Sequence, residues 1–263
     1  MQIIRVRLIN GLGKTNGCEK APVRILEALK DIGSKENGEI IDFDRLNLEE
    51  IHVDLKNLEE ANYLIFENAK EIFEKNAKAF FIGGDHCISY SIGRAFNKIE
   101  KNPLLIVFDA HADCLESMKE PTHEEWLRKL VEEGFSEKNI ILISARNLWE
   151  QEINFLKEKG ILVIKMDVLR ESLEEVCDLV MERARQSSGF YVSIDIDCLD
   201  PAYAPATGYL EPGGMSSQDL IYFLKRLSLL ENFRGADIVE INPDKDVNDM
   251  TVKLGARLLA EMI

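Results

Sequence analysis

Three short segments hold five carboxylates and two imidazoles at spacings suited to a pair of metal ions. They are Gly83-Gly84-Asp85-His86, Asp109-Ala110-His111-Ala112-Asp113 and Asp195-Ile196-Asp197. Each follows an apolar, strand-like run. In an extended chain, side chains two positions apart point to one face. The spacing therefore predicts that each segment turns its polar groups into a common pocket. Carboxylates with a little imidazole and no required thiolate suit Mn²⁺ or Mg²⁺, and Fe²⁺ or Zn²⁺ fit less well. Asp195 and Asp197 follow the buried-type run Phe190-Tyr191-Val192-Ser193-Ile194. Carboxylates there are poorly solvated unless a cation compensates them.

The chain has four histidines, and His86, His111 and His123 lie in or near the acidic segments. His52 reads as a surface residue. Cys87, Cys114 and Cys198 each directly follow a proposed ligand. With five cysteines and no C-x-x-C pair, a disulfide framework is not expected. A persisting strand would turn Cys198 away from Asp197, so these thiols read as buried structural groups. Gly11-Leu12-Gly13-Lys14-Thr15 invites a phosphate-loop reading. A P-loop needs glycine where Leu8 stands, and the next helical pattern waits until about Ala21. The Gly11–Gly17 stretch is expected to be a mobile or substrate-facing loop.

The elements that must position these groups alternate along the chain. Strand-like runs are Ile3–Leu8, Glu39–Asp42, Ala79–Ile82, Leu104–Phe108, Ile140–Ser144, Ile161–Lys165, Phe190–Ile194 and Gly235–Ile241. Helical periodicity covers Ala21–Asp31, Leu58–Asn76, Ser89–Asn97, His123–Glu133, Gln151–Lys159, Leu173–Gln186, Ser217–Leu229 and Val247–Met262. Thr122, Ser172 and Ser216 fit capping-box positions. Such alternation predicts a parallel sheet covered on both faces, either open or closed as a (β/α)₈ barrel. Both place ligands at the carboxyl ends of strands, where the three motifs lie. No linker or repeat divides the chain, so residues 1–263 read as one domain.

The net charge of -15 argues against nucleic acid, whose binders need a basic face, and favours small cations. No apolar run approaches the ~20 residues of a membrane span. The opening Met1-Gln2-Ile3-Ile4-Arg5 lacks a signal-peptide layout, so a cytoplasmic location is expected.

Taken together, Gly-Gly-Asp-His, Asp-Ala-His-Ala-Asp and Ser193-Ile194-Asp195-Ile196-Asp197-Cys198-Leu199-Asp200-Pro201 resemble the three signatures of the ureohydrolases, the arginase, agmatinase and formiminoglutamase family. Pro205-Ala206-Thr207-Gly208, Glu211-Pro212-Gly213-Gly214 and Glu240-Ile241-Asn242-Pro243 resemble further family segments in the same order. The resemblance implies a three-layer α/β/α sandwich around a central parallel sheet of about eight strands. It implies two Mn²⁺ ions per chain, one held by His86, Asp109, Asp113 and Asp195, the other by Asp109, His111, Asp195 and Asp197. Asp113 would handle protons, Glu240 would hold the guanidinium, and His123 falls where the family places a proton shuttle. Asp85 and Asp200 are expected to orient ligands. Thr207 and Glu116 are expected on the substrate, Glu116 against a distal ammonium. Leu115 stands where arginases usually carry Asn, so an agmatine-like guanidine is expected ahead of arginine. By analogy with relatives, a homo-oligomer, trimer or hexamer, is expected. Arginase or formiminoglutamase activity, or metal binding without turnover, are the alternatives.

Overall fold

The computed structural model describes residues 1–75 and 78–263. The apolar runs become eight strands: β1 (Gln2–Val6), β2 (Asn47–Ile51), β3 (Ala79–Gly83), β4 (Pro103–Phe108), β5 (Ile140–Ala145), β6 (Leu162–Lys165), β7 (Gly189–Asp195) and β8 (Phe233–Val239). They form one sheet in the order β2-β1-β3-β8-β7-β4-β5-β6. Every neighbouring pair is parallel. β2 and β6 are its edges, so the sheet is open and the barrel alternative falls.

Nine α-helices are present among the described residues. They are α1 (Ala21–Leu29), α2 (Leu58–Glu74), α3 (Ile88–Ile99), α4 (Trp126–Glu132), α5 (Glu150–Lys159), α6 (Met166–Glu171), α7 (Leu173–Gln186), α8 (Ser217–Ser228) and α9 (Met250–Met262). Alternate side chains of each central strand enter two cores. On β4, Leu104, Ile106 and Phe108 join the core under α1 and α6 to α9, while Leu105 and Val107 join the core under α2 to α5. The result is a three-layer α/β/α sandwich. Strands buried on both faces lose the alternating pattern and read as unbroken apolar runs, as β4 does. No helix among the described residues is long and apolar enough to cross a membrane.

Three element readings are corrected. The second strand is Asn47–Ile51, not Glu39–Asp42. As an edge strand with mostly exposed residues it carries little apolar signal, whereas Ile40 is exposed and makes only an isolated antiparallel bridge to Ser34. The six-residue α6 is too short for helical periodicity to register. The helix expected from His123 begins at Trp126, leaving His123 in the preceding turn. Ser216 and Asp219 form the expected reciprocal box, while Ser172 follows α6 directly and makes no side-chain cap bond. The expected helix end at Asn76 lies outside the described residues.

Candidate functional site

The four central strands, β3, β8, β7 and β4, deliver the predicted chemistry from their carboxyl ends. The chain crosses from β3 to β4 over the positions that β8 and β7 later fill. That break in strand order opens a crevice of the kind where α/β sheets bind ligands.

Turns at these tips, rather than continued strand, aim the side chains. β7 ends at Asp195, whose Oδ1 accepts the Asp197 N–H at 2.8 Å and starts a 3-10 turn over Ile196–Cys198. Asp109 Oδ1 likewise accepts the His111 N–H at 2.7 Å. Asp113 and Glu240 sit at φ 50° and 65°, left-handed conformations that cost a side-chain-bearing residue of order 1 kcal/mol. The expectation of an extended chain is thus corrected, although the groups do converge.

They form two groups. His86 Nδ1 lies 3.1 Å from Asp109 Oδ2, 3.0 Å from Asp113 Oδ2 and 3.2 Å from Asp195 Oδ2. His111 Nδ1 lies 3.0 Å from Asp197 Oδ2 and 3.5 Å from Asp109 Oδ1. One ligand atom each from His86, Asp109 and Asp195 lie within 4.8 Å of one another, as do those of Asp109, His111 and Asp197. Asp109 belongs to both groups and gives one oxygen to each. Asp195 stands with the first group, its Oδ2 facing His86. Neither group includes a cysteine, and Cys87, Cys114 and Cys198 are buried with thiols pushed up by burial.

The donor set fits divalent cations. The Ser193 hydroxyl donates to Asp237 Oδ1 at 2.7 Å, so its oxygen is free to accept His86 Nε2–H at 3.0 Å. That assignment leaves an Nδ1 lone pair facing three carboxylate oxygens, and Nδ1 forms no hydrogen bond with any of them. Anionic oxygens converging on a lone pair repel unless a cation lies among them. Titration agrees. Burial and the Asp109 charge push the Asp113 carboxyl up to about 8. Burial and the charges of Asp197 and Asp109 raise Asp195 well above the carboxylate range. Burial lowers the His86 imidazole, but its facing carboxylates outweigh that and raise it. Carboxylates this crowded stay charged only against cations, or else hold protons.

Further contacts fix the ligands. Trp126 Nε1–H donates to Asp113 Oδ2 at 2.7 Å, and its ring packs on His86 at 4.6 Å. His111 Nε2–H points to Glu211 Oε1 at 3.3 Å. Asp85 takes backbone and hydroxyl donors instead: Asn10 N–H at 2.6 Å, Thr15 Oγ1–H at 2.8 Å and Cys87 N–H at 3.1 Å. It thereby ties the Gly11–Gly17 loop to the first motif. Asp200 accepts the Ala202 and Gly213 N–H groups and shapes its own loop.

Both groups open into a cavity of about 270 Å³. His111, Asp113, Asp195, Asp197 and Glu240 line its floor, and Lys14, Leu115, His123, Glu124, Asn147, Trp149, Glu152 and Tyr209 line the rest. A larger cavity of about 670 Å³ lies by both chain termini, away from these groups. Glu240 Oε1 accepts the His86 N–H at 2.9 Å, whereas its buried Oε2 has no partner. His123 is buried with neither ring nitrogen hydrogen-bonded, has Nε2 3.8 Å from Glu124 Oε1, and stacks on Tyr209 at 5.8 Å. Two expected residues are not brought in. Glu116 is exposed and outside the cavity wall, where Glu124 stands instead. Thr207 is buried behind the wall with Oγ1 unpartnered.

Sequence reasoning missed Ser193, Asp237, Trp126, Glu211, Glu124 and Tyr209. Asp237 carried a signal, since a carboxylate inside the apolar run Phe233–Val239 demands partners. Trp126 carried none.

Comparison with known proteins agrees with this geometry. Agmatinase of Bacillus subtilis (strain 168) is 31% identical over 255 residues, spanning 94% of this chain and 85% of that protein. Mitochondrial arginase 1 of Arabidopsis thaliana is 32% identical over 205 residues, 76% of this chain and 58% of that protein. Formimidoylglutamase from Bacillus subtilis superposes with a TM-score of 0.91 at 24% identity, covering 99% of this chain and 85% of that one. Arginase from Bacillus caldovelox gives 0.86 at 21%, covering 99% and 97%. The arginase family model matches residues 3–263, and with sheet order, ligand groups and relatives in accord, this chain belongs to the arginase family of hydrolases.

Proposed function

We propose that this hydrolase is a binuclear manganese enzyme that cleaves a guanidino C–N bond and releases urea and an amine. A small cationic guanidine resembling agmatine is its favoured substrate, which would place it in polyamine metabolism. The observation that carries the reading is the Asp109 carboxylate joining two ligand groups on the floor of the cavity that the unpartnered Glu240 Oε2 lines.

His86, Asp109, Asp113 and Asp195 would hold one ion, and Asp109, His111, Asp195 and Asp197 the other. When bound, two such ions act as paired Lewis acids that lower the pKa of water into the neutral range. Glu240, anchored through Oε1, turns Oε2 to the planar cation and orients it by charge-assisted hydrogen bonds. Asp113, held by Trp126, accepts a proton from the nucleophile and returns it to the leaving amine. His123, with neither nitrogen hydrogen-bonded and Glu124 beside Nε2, carries protons between the cavity and solvent. Leu115 offers an aliphatic chain an apolar wall and offers no hydrogen bond to an amino-acid head.

Assays of the manganese-loaded protein should find urea released from agmatine faster than from arginine or 4-guanidinobutyrate, and faster than formamide from formiminoglutamate. No turnover of any of these overturns the proposal. Glu240→Gln is expected to lower kcat/KM by about 10-fold or more while both ions stay bound. Loss of metal in that variant would show that Glu240 has another role.

A further inference from the structure

The cavity mouth carries an arrangement that the hydrolysis itself does not use. Tyr209 O–H donates to Glu124 Oε1 at 2.9 Å. The Tyr209 ring is stacked on His123 and lies edge-on to His111 at 5.7 Å. The Lys14 ammonium stands over that same ring, 5.6 Å from its centroid, and forms no ion pair among the described residues. A lysine is unexpected here on charge alone, because the cavity is built to attract cations.

An aromatic face beside a carboxylate is a receptor for an ammonium group. In this structure the chain's own lysine supplies one. Lys14 rides on the Gly11–Gly17 loop, where Gly13 takes φ 88° with open space around its missing side chain. The loop closes on the floor as well. A Cβ on Gly208 would lie 3.4 Å from Glu240 Oε2 and 3.9 Å from the Lys14 carbonyl oxygen. Lys14 and the residue that would hold the guanidinium therefore face one space, with Leu115 and Trp149 along its apolar side.

We propose that the Tyr209 ring and the Glu124 carboxylate form the subsite for the substrate's distal ammonium, and that Lys14 covers its aromatic half between turnovers. This rests on the guanidine-hydrolase reading above. Substrate entry exchanges one ammonium for another, so Lys14 competes with a diamine-like substrate and leaves a substrate without the second charge unaided.

The test is steady-state kinetics of the manganese-loaded protein with agmatine and with butylguanidine, the same skeleton lacking the ammonium. Glu124→Gln should lower the ratio of kcat/KM for agmatine over butylguanidine about tenfold. Lys14→Met should lower KM for agmatine about threefold. A ratio unchanged in Glu124→Gln overturns the inference, as does a raised agmatine KM in Lys14→Met. Selective loss of 4-guanidinobutyrate turnover in Lys14→Met also overturns it, because Lys14 would then be a carboxylate partner. If wild type turns over no guanidine, the hydrolase reading falls and takes this inference with it. Turnover with an indifferent Glu124 removes this inference alone.

Discussion

His86 and His111 present the same atom, Nδ1, to carboxylates on either side of Asp109, yet their surroundings differ. His86 is fully buried, and its chain of support runs inward through Ser193 to Asp237, both buried, with Ser89 donating to the second Asp237 oxygen at 3.0 Å. His111 is partly exposed, and its support, Glu211, is about equally so, at 18% and 20% of their side-chain surfaces. That side is held by a staple instead. Arg146 Nη2 donates to the carbonyl oxygens of Asp197 and Glu211, both at 2.6 Å, fixing two loops together. Hydrogen bonds in a dry interior hold a ligand far more stiffly than the same bonds at a wet surface. One half of the centre is thus built to retain its ion, and the other lies where substrate and solvent meet.

Asp109→Asn would break the comparison outright, since both halves lean on that carboxylate. Metal content should fall from two ions to below one, and urea release should fall more than about 100-fold, beyond the usual cost of losing a group behind a ligand. Elemental analysis that finds both ions retained would place the shared point elsewhere.

Ser193→Ala acts on the enclosed half alone. It leaves His86 Nε2–H without its acceptor and Asp237 Oδ1 without its donor, both buried. Unfolding in denaturant should show a loss of about 1–3 kcal/mol. Manganese titration should show the tighter of two binding steps weakened about 10–100-fold. A weakened loose step with an intact tight one would reverse the assignment of the two halves.

Stripping the ions should make stability fall as pH rises. Unfolded Asp titrates near 4 and unfolded His near 6.5. In the folded chain burial and Asp109 hold Asp113 up to about 8, and facing carboxylates outweigh burial to raise His86 and His111. Between pH 6 and 8 the folded state then binds more protons than the unfolded one, and its stability declines. Asp109, held below the carboxylate range once its histidine partners outweigh burial, contributes evenly across that window. The Tm of chelator-treated protein should drop by about 5 °C from pH 6 to 8, and that of manganese-loaded protein by less. A rising Tm in the stripped protein would contradict the crowding of charge described for this centre.

The ligands and their supports were unequally legible in the sequence. The ligands announced themselves because polar residues at spacing two interrupt apolar runs, and the central strands because burial on both faces makes those runs unbroken. The supports were another matter. Ser193 is a small polar residue within a strand, Trp126 reads as core, and Glu211 sits in a loop where acids are ordinary. Their roles depend on contacts 13 to 107 positions apart in the chain, from Trp126 with Asp113 to His86 with Ser193. Local spacing cannot encode those. β2 escaped for a related reason, since an edge strand has no second neighbour to demand apolar residues. Spacing also gave the right convergence through the wrong geometry, because Asx turns and left-handed residues aim these groups.

Glu211→Gln probes the open half and should have the smallest effect. The amide oxygen can still accept His111 Nε2–H, so the hydrogen bond survives and only the charge behind the imidazole is lost. Solvent at a side chain this exposed screens much of that charge. Asn147, which donates to Glu211 Oε1 at 2.7 Å, keeps its partner too. The looser manganese step should weaken about threefold, below the 10–100-fold typical when such a partner is removed, and the tighter step should not move. Enclosure then sets the ranking, because Ser193→Ala deletes a neutral hydroxyl and Glu211→Gln deletes a full charge. If the charge proved the costlier loss, electrostatics behind the imidazole would govern retention, and the contrast between the dry and wet halves would not.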